Sequence, residues 1–232
     1  MAWGVHLYTA SGLVIAALMA IQIVGGGDAG FRWALGLMML ATFIDSTDGF
    51  LARLAQVKIY APRFDGRRLD DLIDFQTYTS LPLLLIWRAD PLPGPWAWLL
   101  LLPLLASAYG FSRADAKTDD GYFLGFPSYW NVVAIYLYLL QPALWMAVGL
   151  ILLLSILTFV PSRYLYPSQQ KRFRAITIVA TLVWVGLLAV IVWVPPSASR
   201  SMTLASLVFP AAYLLGSWGV SVSGFLQRLR DA

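Results

Sequence analysis

Asp45, Asp48, Asp70 and Asp74 are the residues whose type and spacing could do chemistry in this chain. They stand in two phrases, Asp45-x-x-Asp48-Gly49-x-x-Ala52-Arg53 and Gly66-x-x-x-Asp70-x-x-x-Asp74, with twelve residues between Arg53 and Gly66. On a helix, residues three, four, seven or eight apart share a face, so each phrase reads as a single stripe. Two antiparallel helices carrying these stripes at facing ends would gather four carboxylates at one point. Such a group repels itself unless cations neutralise it. Oxygen donors without His or Cys suit magnesium or manganese, and two such ions form a clamp for displacement at phosphorus. Gly49 and Ala52 remove bulk so that a ligand can press against the helix, and Gly66 gives similar clearance. Arg53 can reach a phosphate with a forked, charge-assisted contact. Asp74, placed deepest toward the apolar run that follows it, is the candidate general base for an attacking hydroxyl.

The elements that must position these acids are apolar. Of 232 residues, 59% are hydrophobic and only 12% charged, with a mean hydropathy of +0.72. That composition belongs to a polytopic membrane protein, here expected to form one domain over residues 1–232. The absence of Cys excludes disulfides and thiolate chemistry. The single His, His6, excludes a multi-His metal centre and reads as an ordinary residue near the start of the first helix. A net charge of +4 speaks to orientation and anionic lipid, and no nucleic-acid partner is expected. A cleavable leader is not expected either, since Met1–His6 lacks basic residues and no A-x-A site follows the first apolar run.

A spanning helix needs about 20 mostly apolar residues. Eight candidates follow, at about 7–24, 31–55, 66–87, 96–113, 129–140, 143–160, 175–194 and 202–227, so the expected fold is an all-α bundle of eight transmembrane helices. With both termini cytoplasmic, all but Arg32, Arg88 and Arg200 of the 16 Lys and Arg residues lie on the cytosolic side. This asymmetry agrees with the positive-inside rule and turns the Asp phrases toward the cytosol. Asp65 and Asp71 lie off the stripes and read as solvated acids. The Lys171-Arg172-Phe173-Arg174 cluster reads as a contact for anionic lipid.

The two phrases together match every fixed position of the signature of the CDP-alcohol phosphotransferase family, which the chain resembles. The family mostly has about eight residues between Arg and Gly; the longer spacer here is similar to that of the bacterial phosphatidylcholine synthase branch. Other phrases also look like that branch: Pro62-Arg63-Phe64-Asp65-Gly66 with Leu69-Asp70-Asp71, then Pro127-Ser128-Tyr129-Trp130-Asn131, then Arg163-Tyr164-Leu165-Tyr166-Pro167-Ser168.

The resemblance implies transfer of the phosphatidyl group from CDP-diacylglycerol to the hydroxyl of choline, releasing CMP, with manganese or magnesium required. It assigns Asp45, Asp48, Asp70 and Asp74 to metal, and Asp48, Gly49, Ala52, Arg53 and Gly66 to the nucleotide pocket. Asp74 would be the base. It also implies a homodimer in the bacterial inner membrane, surrounded by membrane lipids. Choline offers a quaternary ammonium, which aromatic faces recognise. Tyr78, Tyr122, Tyr129 and Trp130 are near the cytosolic side, and Tyr129, Trp130 and Asn131 share a branch-like phrase. Arg113 and Lys117 either hold or flank the donor's pyrophosphate or act only as topology signals. Two competing readings remain at this point: the same chemistry with glycerol phosphate, inositol phosphate or serine as acceptor, and a divalent-cation transporter. The transporter reading leaves Gly49, Ala52, Arg53 and Gly66 unexplained and expects ion sites near the midplane.

Overall fold

The structure is a computed structural model that describes residues 1–118, 121–165, 174–194 and 196–230. Its contacts divide the chain into two compact units. The first comprises Met1–Ala97 and Tyr129–Tyr138, the second Trp98–Ser128 and Leu139–Ala232.

The first unit is built on α1 (Ala2–Gly25) and α2 (Gly27–Leu54). Gly26 and Gly27 both take left-handed backbone angles, with φ of 71° and 75°, and this turns α2 back along α1. Buried α1 positions recur every three or four residues: Val5, Thr9, Gly12, Ala16, Met19 and Ile23. Small residues in that row allow close approach, which is what packs helices where lipid removes the usual apolar driving force. The opposite face shows Trp3, Leu7, Val14 and Ile21, apolar yet exposed, as a lipid-facing surface requires. After a short helix, α3 (Val57–Tyr60), come α4 (Gly66–Asp74), a π-helical turn over Phe75–Ser80, and α5 (Leu81–Ala89). Asp65 caps α4 by accepting a hydrogen bond from the Arg68 N–H, so this exposed acid also sets where the helix begins. Helix α7 (Trp130–Leu140) completes the unit.

The second unit holds α6 (Leu101–Ser112), preceded by a 3₁₀ turn at Gly94–Leu100, together with α8 (Leu144–Phe159), α9 (Arg174–Trp193), α10 (Pro196–Ser206) and α11 (Val208–Arg230). It also holds two short antiparallel strands, β1 (Tyr122–Leu124) and β2 (Arg163–Leu165), with Phe123 opposite Tyr164. Gly125 is required beside them: its φ is +84°, and a Cβ there would lie 2.3 Å from the Thr158 carbonyl oxygen. The outer edge of β2 would expose unpaired backbone groups. Helix α11 covers it with one row of side chains. The Arg163 and Leu165 N–H groups donate to Ser221 Oγ (2.5 Å) and Ser217 Oγ (3.1 Å), and Tyr213 donates to the Leu165 carbonyl (2.8 Å).

The protein is thus an all-α, multi-span membrane protein apart from that ladder, but it is not the expected bundle of eight spanning helices. Among the described residues, five helical stretches are long and apolar enough to cross a membrane: Ala2–Gly25, Gly27–Leu54, Gly94–Ser112, Ala175–Trp193 and Ser199–Val222. The expected third span begins in α4, whose Arg67, Arg68, Asp70, Asp71 and Asp74 make it too polar. The fifth and sixth are helices of 11 and 16 residues, short of the length a bilayer needs. Left-handed turns at Ser128 and Gln141 delimit α7, and Pro142 follows. Tyr166-Pro167-Ser168 and Lys171-Arg172-Phe173 lie outside the described residues.

Candidate active site

In the first unit α1 packs against both α2 and α4, and α2 also packs against the π-helical turn that follows α4. Asp45, on α2, and Asp70 and Asp74, on α4, each bring one carboxylate oxygen within 4.8 Å of the others. All three are half-buried. At an effective dielectric of about 20, two carboxylates at that separation repel by roughly 3 kcal/mol. Three of them favour a divalent ion strongly, and an all-oxygen donor set matches magnesium or manganese. The residues present therefore fit such an ion.

Asp48 is not part of that group. It is buried one turn further along α2, and its Oδ2 accepts a hydrogen bond of 2.8 Å from the Thr9 hydroxyl of α1. A turn-long ladder of hydroxyls accompanies it, since Tyr8 and Thr47 join at 2.7 Å. Gly49 is exposed, and Arg53 folds along it: a Cβ at Gly49 would lie 3.6 Å from Arg53 Nη1. Arg53 itself is exposed. Ala52 is partly exposed on the same stretch of α2. Among the described residues, Arg53 makes no ion pair.

Gly66 opens α4 against α1. A Cβ there would stand 2.8 Å from His6 Cε1, so the glycine is what lets the imidazole and the helix start share this space. His6 is buried, and its Nε2 has no hydrogen-bond partner among the described residues. Its ring packs on Phe64 at 4.4 Å between centroids, and Trp3 packs on the same Phe64 at 5.5 Å. The long spacer thus serves a purpose: it carries Phe64 back onto α1 before α4 begins. Six residues further along α1 and seven along α4, Gly12 meets Ile73, with a Cβ at Gly12 falling 2.7 Å from Ile73 Cγ2.

The remaining candidates divide between the units. In the first, the Tyr129 ring lies 6.3 Å from that of Tyr78, whose hydroxyl donates to Asp45 Oδ2 at 2.6 Å. Trp130 is completely buried, and the Asn131 side-chain amide donates to Thr42 Oγ1 on α2 at 3.3 Å. Asn131 therefore reaches α2 one turn before Asp45, while Tyr129 stands beside Tyr78. In the second unit, Arg113 forms a two-pronged pair with Asp115, at 2.9 and 2.8 Å, and donates to the Leu124 carbonyl. The Arg113 guanidinium holds the Asp115 carboxyl below the usual carboxylate range. Lys117 bridges to Phe123 through its backbone, and Tyr122 lies under the Arg163 guanidinium at 5.4 Å.

Sequence reasoning left out Thr9, His6 as a partner of Gly66, and Tyr78 as a partner of Asp45. The first two sit on α1, 39 and 60 residues before the groups they touch, beyond the reach of any helical spacing. Tyr78 left a signal, because it continues the four-residue rhythm of Gly66, Asp70 and Asp74.

No family model matches the chain. Individual relatives do. A phosphatidylcholine synthase of Pseudomonas aeruginosa is 39% identical over 193 residues, covering 82% of this chain and 80% of the relative. One from Borreliella burgdorferi is 36% identical over 184 residues, covering 79% and 77%. One from Mesorhizobium japonicum is 30% identical over 228 residues, covering 97% and 80%. With the acidic cluster described above falling on the signature that the sequence carries, the chain belongs to the family of bacterial phosphatidylcholine synthases, which are CDP-alcohol phosphotransferase-like membrane proteins.

Proposed function

We propose that the protein is a phosphatidylcholine synthase: it transfers the phosphatidyl group of CDP-diacylglycerol to choline and releases CMP. The observation that carries this reading is the convergence of Asp45, Asp70 and Asp74 within 4.8 Å, on helices that also present Gly49, Arg53 and Gly66. The curated relatives carry the name of that activity over most of their length.

Asp45, Asp70 and Asp74 would hold the divalent ions, Mn²⁺ or Mg²⁺ and two per site, and Asp48, set apart on its hydrogen bond from Thr9, would join them only by turning its carboxylate. When bound, the ions would neutralise the charge of the donor's two phosphates. The rest of the chemistry belongs to the chain. Arg53 reaches the pyrophosphate, and Gly49, Ala52 and Gly66 leave room for the nucleotide to lie against the helices. Asp74 accepts the choline hydroxyl proton as the oxygen attacks the phosphorus that carries diacylglycerol. A bond forms between that oxygen and phosphorus, the bond to the CMP oxygen breaks, and CMP leaves. Most of the acceleration comes from placing the reactants and balancing their charge.

Choline is proposed to lie against Tyr129, with Trp130 and Asn131 fixing that ring's place beside α2. A quaternary ammonium gains roughly 0.5–2 kcal/mol from each aromatic face. The proposal further takes residues 1–232 as one catalytic domain, working as a homodimer in the bacterial inner membrane with both termini and the acids at the cytosolic face. The distribution of Lys and Arg supports that orientation.

The test is direct. Purified protein receives CDP-diacylglycerol, Mn²⁺ and labelled choline, and both lipid-phase label and CMP are measured. Equal amounts of each are expected, with unlabelled serine, inositol phosphate and glycerol phosphate failing to compete. Competition by one of these, or CMP release without labelled lipid, would assign a different acceptor.

A further inference from the structure

Tyr78 stands at an unusual place. It lies in the π-helical turn Phe75–Ser80 that begins directly after Asp74. Turns of this type are rare and concentrate at functional sites. Counted from Gly66, the positions Asp70, Asp74 and Tyr78 advance in equal steps of four. In a regular α-helix, a four-residue step overshoots a full turn by about 40°, so a third step would carry Tyr78 well off the acidic stripe. The wider π turn contains more residues per revolution and rotates the chain back. The side chain at 78 is thereby returned to the acids. The phenol is buried, and its hydroxyl donates to Asp45 Oδ2 at 2.6 Å.

We infer that Tyr78 is a positioning residue for the metal site, holding the Asp45 carboxylate in its ligating orientation. This rests on the reading of Asp45, Asp70 and Asp74 as metal ligands. Asp45 and the other two acids come from different helices, so nothing in the spacing of α4 fixes the Asp45 rotamer. A carboxylate has two oxygens and several lone pairs. The phenol occupies one lone pair on Oδ2 and so sets the carboxylate plane. One short segment therefore supplies a ligand at Asp74 and orients another at Asp45. Groups that orient a metal ligand in this way are typically worth ten- to a hundredfold in metal affinity.

The test uses the full chain in detergent and reads Mn²⁺ binding by electron paramagnetic resonance, without substrate. Tyr78→Phe keeps the ring and removes only the hydroxyl. Its Mn²⁺ affinity is expected to fall about ten- to a hundredfold, while the KM for choline at saturating metal stays within about twofold. Adding Tyr78→Phe to Asp45→Asn is expected to cost little beyond Asp45→Asn alone, because the phenol acts through that carboxylate. Wild-type Mn²⁺ affinity in Tyr78→Phe would overturn the inference, as would losses that add in the double variant. A raised choline KM with unchanged metal affinity would overturn it too, by making Tyr78 a wall of the acceptor pocket. If instead wild-type protein binds no Mn²⁺, or Asp70→Asn binds it equally well, the ligand reading itself fails.

Discussion

Helix α2 carries an acid near each end, and the two ends treat it oppositely. Near its start, Asp28 accepts a 2.7 Å hydrogen bond from Arg32 one turn later and another from the Tyr138 hydroxyl of α7. The charge of that acid is balanced by a neighbour four residues away, and Arg32 is buried beneath it. Near the other end, Asp45 is brought against two more acids. That arrangement draws like charges together, with the neutral Tyr78 hydroxyl donating to Asp45. A chain can hold its helices in place with the first kind of cluster alone. Like charges so close together raise the energy of the folded protein and attract cations, and the proposed chemistry is placed at that end of α2.

The largest effect follows from that contrast. Asp70→Asn and Asp74→Asn each remove a charge from the crowded end, and each is expected to cost about a thousandfold or more in rate. The fold should survive, since less repulsion remains. Product formation measured beside thermal unfolding without metal checks both halves. A variant that stays active would remove the distinction between the ends. Chelation with EDTA should reproduce the loss in the wild type, and Mn²⁺ should reverse it.

Gly66→Ala tests how closely that end must be packed. The new Cβ would fall 2.8 Å from a buried imidazole, so either His6 or the start of α4 must move. A fall of about tenfold in kcat/KM for the lipid donor is expected from a small displacement of Asp70 and Asp74. Pairing it with His6→Ala should return part of the loss. No change in Gly66→Ala would mean that the start of α4 tolerates the shift.

What could be read beforehand divides along physical lines. The acids were legible because a helix repeats on a fixed period and because carboxylates are costly at a membrane edge. Asp70 and Asp74 share a face as that period requires and Asp45 meets them, but Asp48, expected on the same stripe as Asp45, instead faces Thr9. The contacts from α1 were not legible, since the pairing of Thr9 with Asp48 and of His6 with Gly66 depends on how two helices face each other. The turn at Phe75–Ser80 was hidden because a π turn has no strong residue preference. Hydropathy overcounted the spans: it registers that 129–140 and 143–160 are apolar but not that Gln141 and Pro142 leave helices of 11 and 16 residues. Three-residue strands such as Arg163–Leu165 are too short to show alternation.

The acceptor side gives a smaller effect. Tyr129→Leu removes an aromatic face from beside Tyr78 and should raise the choline KM about three- to tenfold, corresponding to roughly 1 kcal/mol. Affinity for CDP-diacylglycerol should not change. Trp130→Leu is a harsher probe, because Trp130 is completely buried and its loss leaves a cavity. The double variant is therefore informative only beside Tyr129→Leu alone. Unchanged choline kinetics in Tyr129→Leu would place the ammonium elsewhere.

The smallest effect on catalysis should come from the balanced end. Asp28→Asn keeps an oxygen for Arg32 to donate to and turns its NH2 to the Tyr138 hydroxyl, which can accept instead, yet it removes the charge that faces a buried guanidinium. The Asp28 side chain is 65% exposed, so solvent already screens part of that interaction. A loss of about 1 kcal/mol is expected, seen as a melting temperature lower by roughly 2–4 °C. Turnover per folded molecule and Mn²⁺ affinity should match the wild type. Were Asp28→Asn to silence the enzyme as Asp70→Asn does, the cluster of Asp28, Arg32 and Tyr138 would belong to the reaction, and charge balance would no longer separate scaffold from active site.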